Sequence, residues 1–195
     1  TPLIEIVSEP DIRSPREAYE YFAGIKQILE YLQICDCNLE EGSMRCDANI
    51  SLRPKGQTKF GTKTEIKNMN TLKGVEKALE YEAQRQEEVL RSGGEIIQQT
   101  FLWDPSTNRS IPMRSKEDAH DYRYFPEPDL MPLLVDQKLI DSLKENLPEL
   151  PATRRARLEQ QYEITANASE VLTSERALAD YFEVTVNIFS DARQV

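Results

Sequence analysis

Between Met44 and Arg53 the side chains alternate strictly: Met44, Cys46, Ala48, Ile50 and Leu52 are apolar or small, and Arg45, Asp47, Asn49, Ser51 and Arg53 stand between them. A period of two is that of a half-buried strand, whose successive side chains leave opposite faces of the sheet. Its polar face would carry two guanidinium groups, a carboxylate, an amide and a hydroxyl in one row, with neighbours about 6.5–7 Å apart. Thr62–Met69 is a second candidate strand, and its alternation sets Lys63, Glu65 and Lys67 on one face. Carboxylates and cations side by side are what a hard divalent cation and a phosphoryl group require. They equally describe a solvated sheet face, and the pattern alone leaves both readings open. Glu40 and Glu41, just before Gly42, offer another acidic pair, either a second metal-binding element or a solvated turn.

The two strands are joined by Pro54–Gly61, a stretch of turn residues, so an antiparallel pair is expected. Upstream, Leu3, Ile4, Ile6 and Val7 form a short β-favouring stretch that stops at Pro10. Ser14-Pro15-Arg16-Glu17 then reads as a capping box with proline at the first helical position. Phe22, Ile25, Ile28, Leu29 and Leu32 supply that helix with one apolar face through about Gln33. After the second strand, Asn70 or Thr71 caps a long helix whose apolar face is Leu72, Val75, Leu79, Ala83, Val89 and Leu90, and Gly93-Gly94 ends it. Ile96–Trp103 and Ser110–Arg114 read as a hairpin around the turn Asp104–Asn108, which makes a largely antiparallel sheet the expectation. Tyr122–Pro132 is a proline-punctuated aromatic loop, followed by a short strand at Leu133–Val135. From Pro148-Glu149-Leu150-Pro151 the pattern is helical, and Arg154, Arg155 and Arg157 open that part. The domain division expected is therefore 1–147 and 148–195.

Of the 195 residues, 39% are hydrophobic and 30% charged, enough apolar surface to offset chain entropy and exclude wholesale disorder. No apolar run nears the roughly 18 residues that span a bilayer, and the first ten residues lack the features of a signal peptide. A cytoplasmic protein is expected, in a bacterial cytosol or an organelle matrix. Cys35, Cys37 and Cys46 cannot all pair with one another, and the only histidine, His120, is distant, so reduced thiols fit better than a zinc site. His120 itself, alone in a polar loop, reads as a structural donor. The net charge of −10 argues against binding nucleic acid through nonspecific phosphate contacts, so any RNA contact must be local. The chain opens without Met into a candidate strand, as part of a longer protein would.

Four stretches carry a resemblance. They are Thr1–Pro10 (TPLIEIVSEP), Glu40–Asn49 (EEGSMRCDAN), Glu65–Asn68 (EIKN) and Asp121–Pro126 (DYRYFP). In order and spacing they resemble the B-subunit family of tRNA-dependent aspartyl/glutamyl amidotransferases, over essentially the whole chain. The resemblance implies ATP-dependent phosphorylation of the side-chain carboxylate of misacylated Glu-tRNA(Gln) or Asp-tRNA(Asn), followed by attack of ammonia. It implies two partners besides tRNA: an amidase (glutaminase), which is the A subunit and releases the ammonia from glutamine, and a small C subunit. It further implies an α+β cradle similar to glutamine synthetase and guanidino kinases, of which this chain would hold the later part, followed by the start of an all-α domain.

Asp47 and Glu65 match metal-site positions of that family, and Mg²⁺ and ATP are the cofactors implied. Arg45, Lys63 and Lys67 are then contacts for phosphate or acyl phosphate, with Asn49 beside them on the same face. Arg154, Arg155 and Arg157 are the expected tRNA contacts. Further ligands lie upstream in the family, so the chain alone is expected to be catalytically incomplete. Positioning and electrostatics dominate phosphoryl transfer, and no protein nucleophile is required. Two alternatives remain at this point: a non-catalytic module that binds tRNA or holds an assembly together, and a small-molecule carboxylate–amine ligase of the glutamine synthetase type.

Overall fold

The computed structural model describes residues 3–113, 128–189, 191, 192 and 194. These divide into two compact units, the first made of Thr1–Lys26 with Cys35–Ser115, the second of Gln27–Ile34 with Lys116–Val195. The fold is α+β, with six helices and one small mixed sheet among the described residues.

In the first unit, helix α1 (Pro15–Tyr31) starts where the capping box sets it. Ser14 Oγ accepts from the Glu17 N–H at 3.1 Å, and the Glu17 carboxylate accepts from the Arg13 N–H at 2.6 Å. Strands β1 (Ala48–Ile50) and β2 (Thr64–Lys67) pair antiparallel, with Asn49 opposite Glu65. Between them Gly61 passes so close to the chain just after β1 that a Cβ would lie 2.1 Å from the Leu52 carbonyl oxygen, so no other residue fits there without movement. Asn68 ends β2 at φ 68°, a left-handed conformation that asparagine tolerates, and its amide donates to the Trp103 carbonyl at 3.1 Å.

Helix α2 (Leu72–Arg91) follows, its N-cap Thr71 accepting from the Gly74 N–H, and Gly93 at φ +80° ends it as expected. The chain then returns as β3 (Thr100–Asp104) and turns into β4 (Arg109–Pro112), an antiparallel hairpin. The strand order is β1-β2-β3-β4, and β3 lies parallel to β2 with Thr100 beside Glu65. The expected largely antiparallel sheet is thus corrected to a mixed one. Hydrophobic period identifies a strand but not its direction, and a helix between two strands permits the parallel crossover.

The core of this unit lies between α2 and the sheet: Ile66, Met69, Val75, Ala78, Leu79 and Trp103 with Phe22 of α1. Met44, Cys46, Ala48 and Ile50, the apolar side of the alternation, pack against it. Two expected strands are absent: Leu3–Val7 and Leu133–Val135 form no strand, and their large apolar side chains are exposed.

The second unit contains the end of α1, then α3 (Gln137–Glu145), α4 (Pro151–Tyr162), α5 (Ala166–Leu172) and α6 (Arg176–Ile188). Its core is Leu158, Phe182 and Val186, with Tyr162 edge-on to Phe182 at 5.4 Å. Tyr31 is fully buried there, its hydroxyl donating to the Thr173 carbonyl at 2.7 Å. Helix α3 was not expected; Asp136 caps it, accepting from the Leu139 N–H, and none of its residues is buried.

Candidate functional site

Exposure along Met44–Ile50 alternates in step with the sequence, so Arg45, Asp47 and Asn49 face solvent while Met44, Cys46, Ala48 and Ile50 turn inward. Burial and the neighbouring Asp47 charge push the Cys46 thiol up to about 11, so it stays protonated and inert on the inner side. On β2 the same alternation buries Thr64 and Ile66 and turns Glu65 and Lys67 outward. Lys67 Nζ donates to Asp47 Oδ2 at 2.6 Å and lies 3.3 Å from Glu65 Oε1. The side chains of Asp47, Glu65 and Lys67 are 50%, 32% and 37% exposed, so the cluster is open to solvent without being loose. The hydrogen bond to Asp47, more than any other influence, holds the Lys67 ammonium above the ordinary lysine range.

Glu65 has a second partner. Thr100, delivered alongside by the parallel strand, donates its hydroxyl to Glu65 Oε2 at 2.9 Å. Both carboxylate oxygens are thereby oriented, one by an ammonium and the other by a hydroxyl.

The remaining candidates lie around this cluster without closing it. Lys63 is exposed immediately before β2. The Arg45 guanidinium lies back over Gly42, whose φ of +78° shapes the preceding turn. Glu40 and Glu41 are exposed, and their N–H groups donate to Asn38 Oδ1 at 3.0 and 3.3 Å. Arg53 is engaged elsewhere: it donates to the Thr58 carbonyl and stacks over Phe60, tying the β1–β2 connection. Among the described residues no three His, Cys, Asp or Glu side chains converge to hold a metal ion. Asp47 and Glu65 still meet on one cation, which fits two carboxylate oxygens of a hard-cation site that takes its other ligands from elsewhere. None of the three cysteines is in a disulfide. His120 and the Asp121–Pro126 stretch lie outside the described residues.

A model of the GatB/GatE catalytic domain matches residues 1–141, nearly three quarters of the chain. The chain belongs to the GatB/GatE catalytic domain family. Curated relatives agree: the aspartyl/glutamyl-tRNA(Asn/Gln) amidotransferase B subunit of Carboxydothermus hydrogenoformans is 55% identical over 194 residues, covering 100% of this chain and 40% of the relative. The proteins of the same name from Chlorobium chlorochromatii and Prosthecochloris aestuarii are 58% and 55% identical, each over 98% of this chain and 40% of the relative. The chain thus spans about two fifths of the length of these relatives.

Behind the site, this GatB/GatE domain buries a polar network that no sequence motif announces. Glu82 on α2 is fully buried and accepts from Thr64 Oγ1 at 2.8 Å, from Gln86 at 2.9 Å and from Arg85 at 2.7 and 2.8 Å. The Gln86 amide donates to the Ile50 carbonyl and accepts from the Leu52 N–H, taking the place of a strand residue beside β1. Burial raises the Glu82 carboxyl, but the bonds from Arg85, Gln86 and Thr64 outweigh it and hold the group below its ordinary range. A signal exists in retrospect: Glu82 and Gln86 interrupt the apolar stripe of α2, where a polar side chain must be buried with partners.

In the second unit, two of the three arginines expected to face RNA are bound by carboxylates, and one of these is buried. Arg154 is 7% exposed and paired with Asp180 at 2.6 Å and with Glu183. Arg157 binds Glu149 and Glu183, each at 2.6 Å. Arg154 lies on the buried stripe of α4 with Pro151 and Leu158. Arg155, half-buried, donates to Thr173 Oγ1 at 3.3 Å.

Proposed function

We propose that this chain is part of the B subunit of an aspartyl/glutamyl-tRNA amidotransferase, a ligase that phosphorylates the side-chain carboxylate of a misacylated tRNA with ATP and then amidates it. What carries the reading is the pair of carboxylates from adjacent strands, Asp47 and Glu65, meeting on one exposed face with Lys67 between them, in a chain of this family. Bound there, Mg²⁺ would hold the nucleotide phosphates and neutralise their charge. Asp47 and Glu65 would hold it from the strand face, and Thr100 orients the Glu65 carboxylate. Lys67, Lys63 and Arg45 meet the transferring phosphoryl group and the acyl phosphate, while Asn49 offers an amide on the same face. Such donors act by position and charge, which suits a reaction that needs no protein nucleophile. Glu40 and Glu41 are candidates for a second acidic element.

The reading extends to partners by the relatives' names and the sequence resemblance: an amidase (the A subunit) supplying ammonia from glutamine, a small C subunit, and tRNA(Gln) or tRNA(Asn) in the cytoplasm. Residues 1–147 would be the later part of a cradle like that of glutamine synthetase, and residues from 148 the start of a helical domain. Among the described residues no helix is long and apolar enough to cross a membrane. Arg154, Arg155 and Arg157 are the proposed tRNA contacts, with Arg155 placed first because Arg154 and Arg157 are each bound by carboxylates.

The deciding experiment assembles the longer protein containing this chain with its amidase partner and supplies ATP, Mg²⁺, glutamine and Glu-tRNA(Gln). Gln-tRNA and phosphate should form together, and free glutamate should not substitute for the aminoacyl-tRNA. Formation of glutamine from free glutamate would move the chain to the small-molecule ligases; binding of tRNA with no phosphate formed would leave a docking module.

A further inference from the structure

We propose that Lys67 is the resident counter-cation of this site, occupying the place of the divalent metal and leaving it when the metal enters. The inference rests on the metal reading of Asp47 and Glu65 and assigns the site a gate. One ammonium is shared by two carboxylates from two strands, at 2.6 and 3.3 Å, so it sits where both can reach a single cation. The other Glu65 oxygen is taken by Thr100. A second cation bound between the same oxygens cannot coexist with the ammonium, because both need the same lone pairs and like charges so close repel. The cluster is between a third and a half exposed, so exchange with solvent ions meets no packed lid.

Once displaced, Lys67 remains on this face on a flexible four-carbon stem and is free to meet an anion. Breaking two ion pairs weakens binding of the metal alone. An anionic ligand that accepts the released ammonium removes that cost, so metal and nucleotide phosphate assist each other's binding, reciprocally. Lys67 thereby makes the site prefer the metal–nucleotide complex over the free ion.

The test measures Mn²⁺ affinity, with and without ATP and in the absence of tRNA, for the full-length protein and its Lys67→Met, Lys67→Arg and Asp47→Asn variants. Lys67→Met is expected to bind Mn²⁺ alone about three- to tenfold tighter, the scale of two part-exposed ion pairs. The improvement that ATP brings should shrink in the same variant. Lys67→Arg keeps a cation in place and should not tighten binding. If Lys67→Met binds Mn²⁺ equally or more weakly while Asp47→Asn abolishes binding, the exchange is wrong and the metal reading stands. If Asp47→Asn binds Mn²⁺ as the parent does, the metal reading fails and takes the exchange with it. Should Lys67→Met not fold, Lys67→Gln carries the same expectations.

Discussion

Asp47 engages Lys67 through one oxygen and keeps half of its side chain in solvent, so its charge is available to an incoming ligand. Replacing it by Asn preserves size and a carbonyl oxygen but removes the charge a hard cation requires. In the assembled enzyme, Asp47→Asn should lower both metal affinity and phosphate formation by at least the 10–100-fold or so that losing an outer-shell partner costs. Glutamine hydrolysis by the amidase partner should survive, and assaying both activities on one preparation separates the effects. Amidation at the parent rate with saturating Mg²⁺-ATP and tRNA would reduce Asp47 to a solvated strand residue. Thr100 is a finer probe, since its hydroxyl donates to the carboxylate it orients. Thr100→Val should weaken metal binding about tenfold while leaving stability within about 1 kcal/mol. Thr100→Ser, which restores the hydroxyl, should recover the affinity.

At the scale of elements, α2 fixes β1 and β2 from behind through side chains that are neither apolar nor exposed. Gln86→Leu leaves the Ile50 carbonyl and the Leu52 N–H without their partner and should destabilise the first unit by about 1–3 kcal/mol, measured by urea unfolding. Glu82 gives that stability a pH dependence whose sign follows from its lowered carboxyl. A group more acidic in the folded chain contributes fully above the ordinary 4.5 of an unfolded glutamate, and its contribution is lost as pH falls through the folded value. Glu82→Gln should therefore destabilise at about pH 7 and show a flatter loss of stability toward about pH 3.5 than the parent. An acid limb as steep as the parent's would assign the dependence to other carboxylates.

These residues also mark how far the sequence could be read. Alternation at Met44–Ile50 predicted which side chains face solvent, and the cap at Thr71 and stop at Gly93 bounded α2, because such signals are local. The direction of β3, the burial of Glu82 and Gln86, and the inward turn of Arg154 depend on what another segment presents. Periodicity reports that a face is covered, not by what. Leu3–Val7 failed for the same reason: β propensity makes a strand only where the segment pairs with a partner edge, and Leu3–Val7 pairs with none of the described strands.

For the whole molecule, the second unit holds two kinds of arginine chemistry side by side on α4. Arg154 is held by Asp180 and Glu183, and truncating it strands charges against a small core. Arg154→Ala should destabilise the second unit by about 1–3 kcal/mol, the partly exposed carboxylates limiting the loss. Arg155→Ala should cost less than about 1 kcal/mol and instead raise the tRNA concentration needed for half-maximal amidation. Equal stability losses with unchanged tRNA dependence would make both arginines purely structural. The parallel strand pair, finally, sets an order of assembly. Glu65 and the Thr100 hydroxyl that orients it stand 35 residues apart, with the whole of α2 between them. A ribosome adding about 5–20 residues per second makes the carboxylate seconds before its hydroxyl, and until the crossover closes, β2 presents an unpaired edge. In a growing chain this site is therefore among the last features of the first unit to become native.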